Sequence, residues 1–231
     1  MVQVAAMRIA MRCASVTEAP FEEAWNVMGL RGTGSDTYSV TDLFVPQEYS
    51  VARDDPAERR LQRPLYCFSS GNFYASGFAG VALGIARRML DAFVELAQDK
   101  TPRGHASALR ENAVIQAQVA RAEASVRSAR AFLLGTLGDL WQQAGRVDRL
   151  TLEQRVSIRL AATHAIHQAK TVVDAVYHAA GSTAIFTSGA FERRFRDMHA
   201  IAQQIQARDT HYEDAGKAIL SGHLDTPPTM R

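Results

Sequence analysis

Apolar residues recur at alternating steps of four and three from Ile115 through Val119, Ala122, Val126, Ala129 and Leu133, continuing to Leu137 and Leu140. A seam of this kind commits the stretch from about Asn112 to Gln143 to a helix that buries one stripe against other helices. The same period marks four more segments. A first helix is predicted from Asn72 to about Gln98, with Phe78, Val81, Ile85, Met89, Ala92 and Leu96 on its buried face. A third opens at Thr151-Leu152-Glu153-Gln154, where Thr and Gln side chains can each satisfy an orphan amide, and runs to Gly181 as its terminating residue. Its seam is Ile158, Ala162, Ile166, Ala169, Val173 and Val176. A fourth helix repeats Phe191, Phe195, Met198, Ala202 and Ile205, and a short fifth follows Thr210-His211-Tyr212-Glu213, read as a second capping box. Long helices with short connections predict an up-and-down bundle.

The chain ahead of these helices has another character. Residues 1 to about 48 are rich in Val, Thr and aromatic residues with Gly turns, and composition changes across the charged, Pro-bounded stretch Ser50 to Pro64. The expected division is a β fragment at 1–50, a linker at 51–68, a helical bundle at 69–222 and a loose tail at 223–231. The fold class is therefore α+β, mainly α: a small antiparallel β fragment followed by a four-helix-type bundle. With 231 residues, 47% of them hydrophobic, the chain can bury a sizeable core. A net charge of +2 with both signs interspersed provides no broad field for nucleic acid. Cys13 and Cys67 stand far apart without a CxxC spacing, which signals neither a disulfide framework nor a zinc site and makes a reducing cytoplasm the default. The opening residues are broken by Arg8 and Arg12, leaving no signal core and no membrane span; Val2 and Val4 alternate as a strand does.

Several side-chain patterns bear on chemistry. Ser76, Gly80 and Gly84 fall four apart and leave a flat stripe that another helix or a planar ring could approach, while glycines inside a helix cost about 1 kcal/mol each against Ala. His164, His167 and His178 lie on the third helix, but a bundle metal site also needs inward Glu partners, and Glu123 and Glu153 are isolated. Capping, packing or exposure accounts for these histidines. No Ser-His-Asp order or GxSxG elbow supports hydrolysis. Arg193, Arg194 and Arg196 read as a solvated helix face.

Two strings carry a resemblance. Trp25 to Pro46, WNVMGLRGTGSDTYSVTDLFVP, has a Gly-rich centre from Gly29 to Ser35 that suits a tight turn between strands, and Phe191 to Gly222 reads FERRFRDMHAIAQQIQARDTHYEDAGKAILSG. Together they resemble the C-terminal region of the acyl-CoA dehydrogenase superfamily, in the type 2 branch that holds both dehydrogenases and oxygenase components of two-component flavin-dependent monooxygenases. The resemblance implies FAD, with FMN as the alternative, lying between a β domain and the bundle, with part of its contacts supplied by a neighbouring subunit. It implies cofactor contacts from Thr33 and Ser35, from Arg103 in Lys100-Thr101-Pro102-Arg103, and from Gly181 and Ser182 in a tract that replaces the family's Gly-Gly turn. Arg196-Asp197 matches the family's structural Arg-Asp pair.

Where the resemblance implies a Glu base in dehydrogenases and a His in many related hydroxylases stands Gln204, which can hydrogen-bond a carbonyl but cannot act as a base and so matches neither pattern. A base would then lie elsewhere, at Glu213 for example, or be absent. The resemblance implies flavin-dependent oxidation of CH-CH groups in a complete enzyme; the alternatives are the oxygenase component of a monooxygenase and a bundle that retains only oligomerisation. Family members carry an N-terminal domain ahead of the Trp25 motif, so a partner chain supplying it is expected, together with a homodimer or tetramer formed through the helices.

Overall fold

A computed structural model describes residues 8–10, 21–22, 24–38, 44, 46–52, 55–61 and 63–221. The strand expected at Val2 and Val4 and the tail at 223–231 lie outside the described residues. Among the described residues, four short strands, β1 (Arg8–Ala10), β2 (Phe21–Glu22), β3 (Thr37–Tyr38) and β4 (Ser50–Ala52), form two antiparallel ladders, β1 with β4 and β2 with β3. Their registers set Ile9 opposite Val51 and Phe21 opposite Tyr38.

Five α-helices follow among the described residues: α1 (Ser70–Asp99), α2 (Ala113–Gln143), α3 (Leu152–Ala180), α4 (Glu192–Ala202) and α5 (Thr210–Ser221). Side chains cap the first three. Ser69 Oγ accepts from the Asn72 amide, Asn112 Oδ1 accepts from the amides of Val114 and Ile115, and both halves of the Thr151–Gln154 box are formed. The second box expected at Thr210–Glu213 does not form. Thr210 is already helical, and the amides of Tyr212 and Glu213 donate to the Asp209 carbonyl instead. No described helix is long and apolar enough to cross a membrane.

α3 is the centre of the bundle and touches every other helix. All six residues of its expected seam are buried, and so are residues on its other faces, because partners surround it. On α2 the seam holds from Ala122 through Leu133 and at Leu140. α1 departs from expectation. Its buried stripe is Ala75, Ala79, Ala82, Ala86, Met89, Leu90 and Phe93, whereas Val81 is 53% exposed and Phe78, Ile85, Ala92 and Leu96 are only partly covered. Alanines let α3 approach α1 closely, and this contact outweighs the larger but looser contact that Phe78 and Val81 would offer. Fully burying Met89, Leu90 and Phe93 contributes about 1.5–3 kcal/mol each.

α1 and α2 both lean on α3 but touch each other sparingly. They run antiparallel, with Arg87 bridging to Glu123 of α2 and to Asp91 at 2.8 Å. On α4 the buried residues are Met198 and Ile201, with Phe191 at its start; the expected Ile205 falls in the following turn and is 48% exposed.

Candidate functional site

The Gly-rich segment docks onto α4 through its backbone. A Cβ at Gly29 would overlap the Arg196 carbonyl and stand 2.7 Å from the Asp197 amide nitrogen, so only glycine permits the approach. One residue on, the Leu30 amide donates to Asp197 Oδ1 at 2.7 Å, and Arg196 Nη1 donates to the Met28 carbonyl. Arg196-Asp197 thus clamps this segment, as the structural reading of the pair requires. The turn itself differs from expectation, because its left-handed residues are Gly34 and Leu30, a non-glycine at φ 54°. The strain at Leu30 is held by its surroundings: its carbonyl accepts from Trp25 Nε1 at 3.1 Å, from Thr33 Oγ1 at 3.0 Å and from the Thr33 amide at 3.1 Å.

This docking completes one wall of a groove of about 1080 Å³. Its other walls are the N-terminal half of α1, the C-terminal end of α2, Leu65 and Phe68 before α1, and Ile201 of α4. Phe78 and Val81 of α1 and Leu134 of α2 line it, on a side where the two helices contact each other less than each contacts α3. Its lining is apolar and aromatic, including Phe68, Phe73 and Trp141, with no charged side chain among the described residues. Thr33 is on the rim, and Ser35 Oγ bonds to Thr33 Oγ1 at 3.2 Å. Phe68 and Trp141 stack at 6.2 Å. The signal that could have found them is a cluster of large aromatic residues at the start of one helix and the end of its antiparallel neighbour.

The other expected contacts gather at the opposite end of α1. Lys100 Nζ donates to the Ala180 carbonyl at 2.5 Å and to Thr183 Oγ1 at 2.7 Å, tying the α1–α2 connection to the turn after α3. Arg103 in that connection, and Gly181 and Ser182 in that turn, are all exposed. Gly181 has φ 57°. The structure therefore brings together two segments about eighty residues apart that the sequence offered separately.

Gln204 lies away from both places. Its Oε1 accepts from the Gln206 amide at 2.7 Å and caps the turn between α4 and α5, while Glu213 is exposed on α5. His167 bonds to the Ala207 carbonyl at 2.8 Å, and His164 meets Phe132 edge-on. Among the described residues, no group of three His, Cys, Asp or Glu side chains could hold a metal ion. His199, which carried no role in the sequence reading, pairs with Asp174 at 2.8 Å and packs against Phe195, which stacks on Tyr177.

The family model of the acyl-CoA dehydrogenase C-terminal domain matches residues 76–209. Indole-3-acetate monooxygenase of Pseudomonas putida is 30% identical over 213 residues, covering 90% of this chain and 54% of that protein. The oxygenase subunit HsaA of a flavin-dependent monooxygenase from Rhodococcus jostii is 26% identical over 186 residues, 78% of this chain and 49% of that one. XiaF from Streptomyces sp., solved with FADH2 and glycerol, shares the fold at TM-score 0.80 and 20% identity, covering 91% of this chain and 55% of that chain. The chain spans about half the length of these relatives. Because the family match runs over more than half of the sequence, through the helices α1 to α4 that carry the groove, the chain belongs to the acyl-CoA dehydrogenase family and holds its C-terminal domain.

Proposed function

We propose that this chain is the C-terminal portion of the oxygenase component of a two-component flavin-dependent monooxygenase with an aromatic substrate. The observation that carries the reading is the groove, which offers stacked aromatic side chains and no charge. A flat ring gains from such walls, at about 25 cal/mol for each Å² of apolar surface removed from water. The polyphosphate of an acyl-CoA would find no cation there. The relatives named as monooxygenases support the same class.

The alternative reading, dehydrogenation of CH-CH groups, needs a base that takes an α-proton. Gln204 has an amide in that place, already engaged as a cap, and Glu213 is exposed on another helix. Among the described residues that line the groove there is no carboxylate or histidine to take that proton, which favours oxygenation over dehydrogenation.

The residues fit a flavin in two places. Thr33 and Ser35 offer hydroxyl groups at the groove rim; Gly181 and Ser182 offer exposed turn amides, and Arg103 offers a guanidinium fork beside the turn that Lys100 anchors. When bound in reduced form, a flavin supplies the electrons that activate dioxygen. Along α1, the groove and the Lys100 end are separated by about 35 Å at 1.5 Å per residue, so the two sets serve one cofactor only if they come from different protomers. We therefore assign a homodimer or tetramer, with the exposed stripe of Gly80 and Gly84 suited to close helix approach. FAD is preferred to FMN because its adenosine half gives the distant set something to bind. Residues 1–50 are then the last part of a β domain and 69–222 the bundle, in a cytoplasmic enzyme completed by an N-terminal segment or partner chain.

The test is titration with FAD and FMN. FAD should bind, and Arg103→Ala should weaken binding about tenfold, roughly 1.4 kcal/mol for a lost charged contact. No binding of either flavin at about 100 μM, a level that detects interactions worth about 5.5 kcal/mol, would leave the oligomerisation-only alternative standing. With an N-terminal partner supplied, labelled dioxygen should enter an aromatic product; reduction of flavin by an acyl-CoA would restore the dehydrogenase reading.

A further inference from the structure

Gly77 of α1 and Gly138 of α2 stand inside long helices where the backbone has no need of glycine. Neither has a positive φ, and a Cβ built on either would meet nothing within 4 Å. Gly29 is the contrasting case, since the α4 main chain leaves it no room for a side chain. A glycine weakens a helix interior relative to alanine, because it adds freedom to the unfolded chain and bares the backbone to water. Both positions therefore forgo stability that a methyl group would supply without a clash. The space that such a methyl group would enter is the groove, which both residues line.

The two glycines belong to opposite walls. Arg87 of α1 meets Glu123 of α2, and in an antiparallel pair each step up one helix is a step down the other. Gly77 is thus level with about Leu133 and Leu134 of α2, and Gly138 with about Asn72 and Phe73 of α1. Leu134 and Phe73 also line the groove, so each glycine has a large side chain at its level on the other helix. The two levels are separated by about 7.5 Å at 1.5 Å per residue, so a ligand lying over both glycines extends beyond a single ring. A groove of about 1080 Å³ agrees with that, since ligand sites span about 300–1,000 Å³.

We propose that Gly77 and Gly138 set the width of the groove and select its ligand by size, admitting fused rings that a side chain on either helix would exclude. This rests on reading the groove as the substrate site, and adds which residues determine what fits. The two glycines touch no reacting atom in this role; they act by leaving the walls apart.

Calorimetric titration of the full chain with phenol and 2-naphthol tests this without flavin or turnover. The native chain should bind 2-naphthol more tightly than phenol. Gly77→Leu and Gly138→Leu should each weaken 2-naphthol at least about tenfold while changing phenol by less than about twofold. Gly135→Leu is the control, because Gly135 is equally open on α2 but is not among the residues that line the groove; both affinities should stay within about twofold. Gly77→Ala and Gly138→Ala should raise the urea midpoint and still weaken 2-naphthol more than phenol, and they serve if the Leu variants do not fold. A preference for 2-naphthol that survives in the Gly77 and Gly138 variants, or a parallel loss of both ligands, overturns the width assignment and leaves the groove reading intact. Binding of neither ring by the native chain overturns both.

Discussion

Replacing Gly29 by Ala should undock the Gly-rich segment from α4 while leaving the bundle folded. The new methyl group meets main-chain atoms of Arg196 and Asp197 inside a helix, which cannot rotate away as a side chain could. Overpacking of this kind costs about 1–3 kcal/mol. The shift that relieves it also breaks the Leu30 amide bond to the Asp197 carboxylate, a charged hydrogen bond contributing about 1.5–3 kcal/mol. Leu30 can leave its left-handed conformation in the released native segment as well, so that relief does not enter the difference. The loss in docking is the smaller of the two costs, about 1–3 kcal/mol, a factor of about 5 to 150 in the open population. Amide hydrogen exchange on peptides spanning 24–36 reads that population directly. The control lies in the same loop: a Cβ at Gly32 meets nothing within 4 Å, so Gly32→Ala should leave exchange nearly unchanged. Gly34→Ala, at φ 52°, should cost about 1–2 kcal/mol from backbone strain alone. If Gly29→Ala exchanges no faster than Gly32→Ala, the close approach to α4 is not what holds the segment.

Three further outcomes follow from packing and charge. Lys100→Met removes two hydrogen bonds that join the ends of α1 and α3, and urea unfolding should show a loss of about 1–2 kcal/mol, limited by the half-exposed position of the ammonium. Burial, above all, holds the His211 imidazole below its ordinary pKa. Between that lowered value and about 6.5 the unfolded chain binds a proton that the folded chain does not, so stability should fall as pH drops through this window. His211→Gln should flatten that part of the pH profile, and an unchanged slope would show that the histidine is not its source. Phe93→Ala, which empties a fully buried site between α1 and its neighbours, should cost about 3–5 kcal/mol in the same unfolding assay.

Much of the helical architecture is written locally. A helix cap needs only a hydroxyl or amide three residues from an amide, so Thr151–Gln154 and the ends of α1 to α3 can be read without knowing what surrounds them. The α3 seam is equally legible, because a helix surrounded by partners buries whichever apolar stripe it has. Local pattern fails where more than one stripe competes. On α1 the period of 3.6 suits both the Phe78–Val81 face and the Ala75–Ala86 face, and only the position of α3 chooses the alanines. At Thr210–Glu213 the box has the right letters, but Asp209 is placed to satisfy the amides first.

The candidate site divides along the same line. Sequence alone determined the period, the caps, the Gly-rich turn and the residue types at Gln204, Arg103 and Gly181, because these depend on neighbours within a few positions. Tertiary structure decided which of them meet. Lys100 brings Arg103 and the Gly181 turn to one end of the bundle, Gln204 is taken up as a cap, and Gly29 is glycine because of a helix about 167 residues away. The groove is marked in the sequence only by its cluster of aromatic residues, which does not reveal that they face one space, and Arg159 looks like any helical arginine until the fold buries it. Caps and periodicity act over a turn of chain, whereas cavities, close approaches and buried charges are properties of surfaces that meet only after packing.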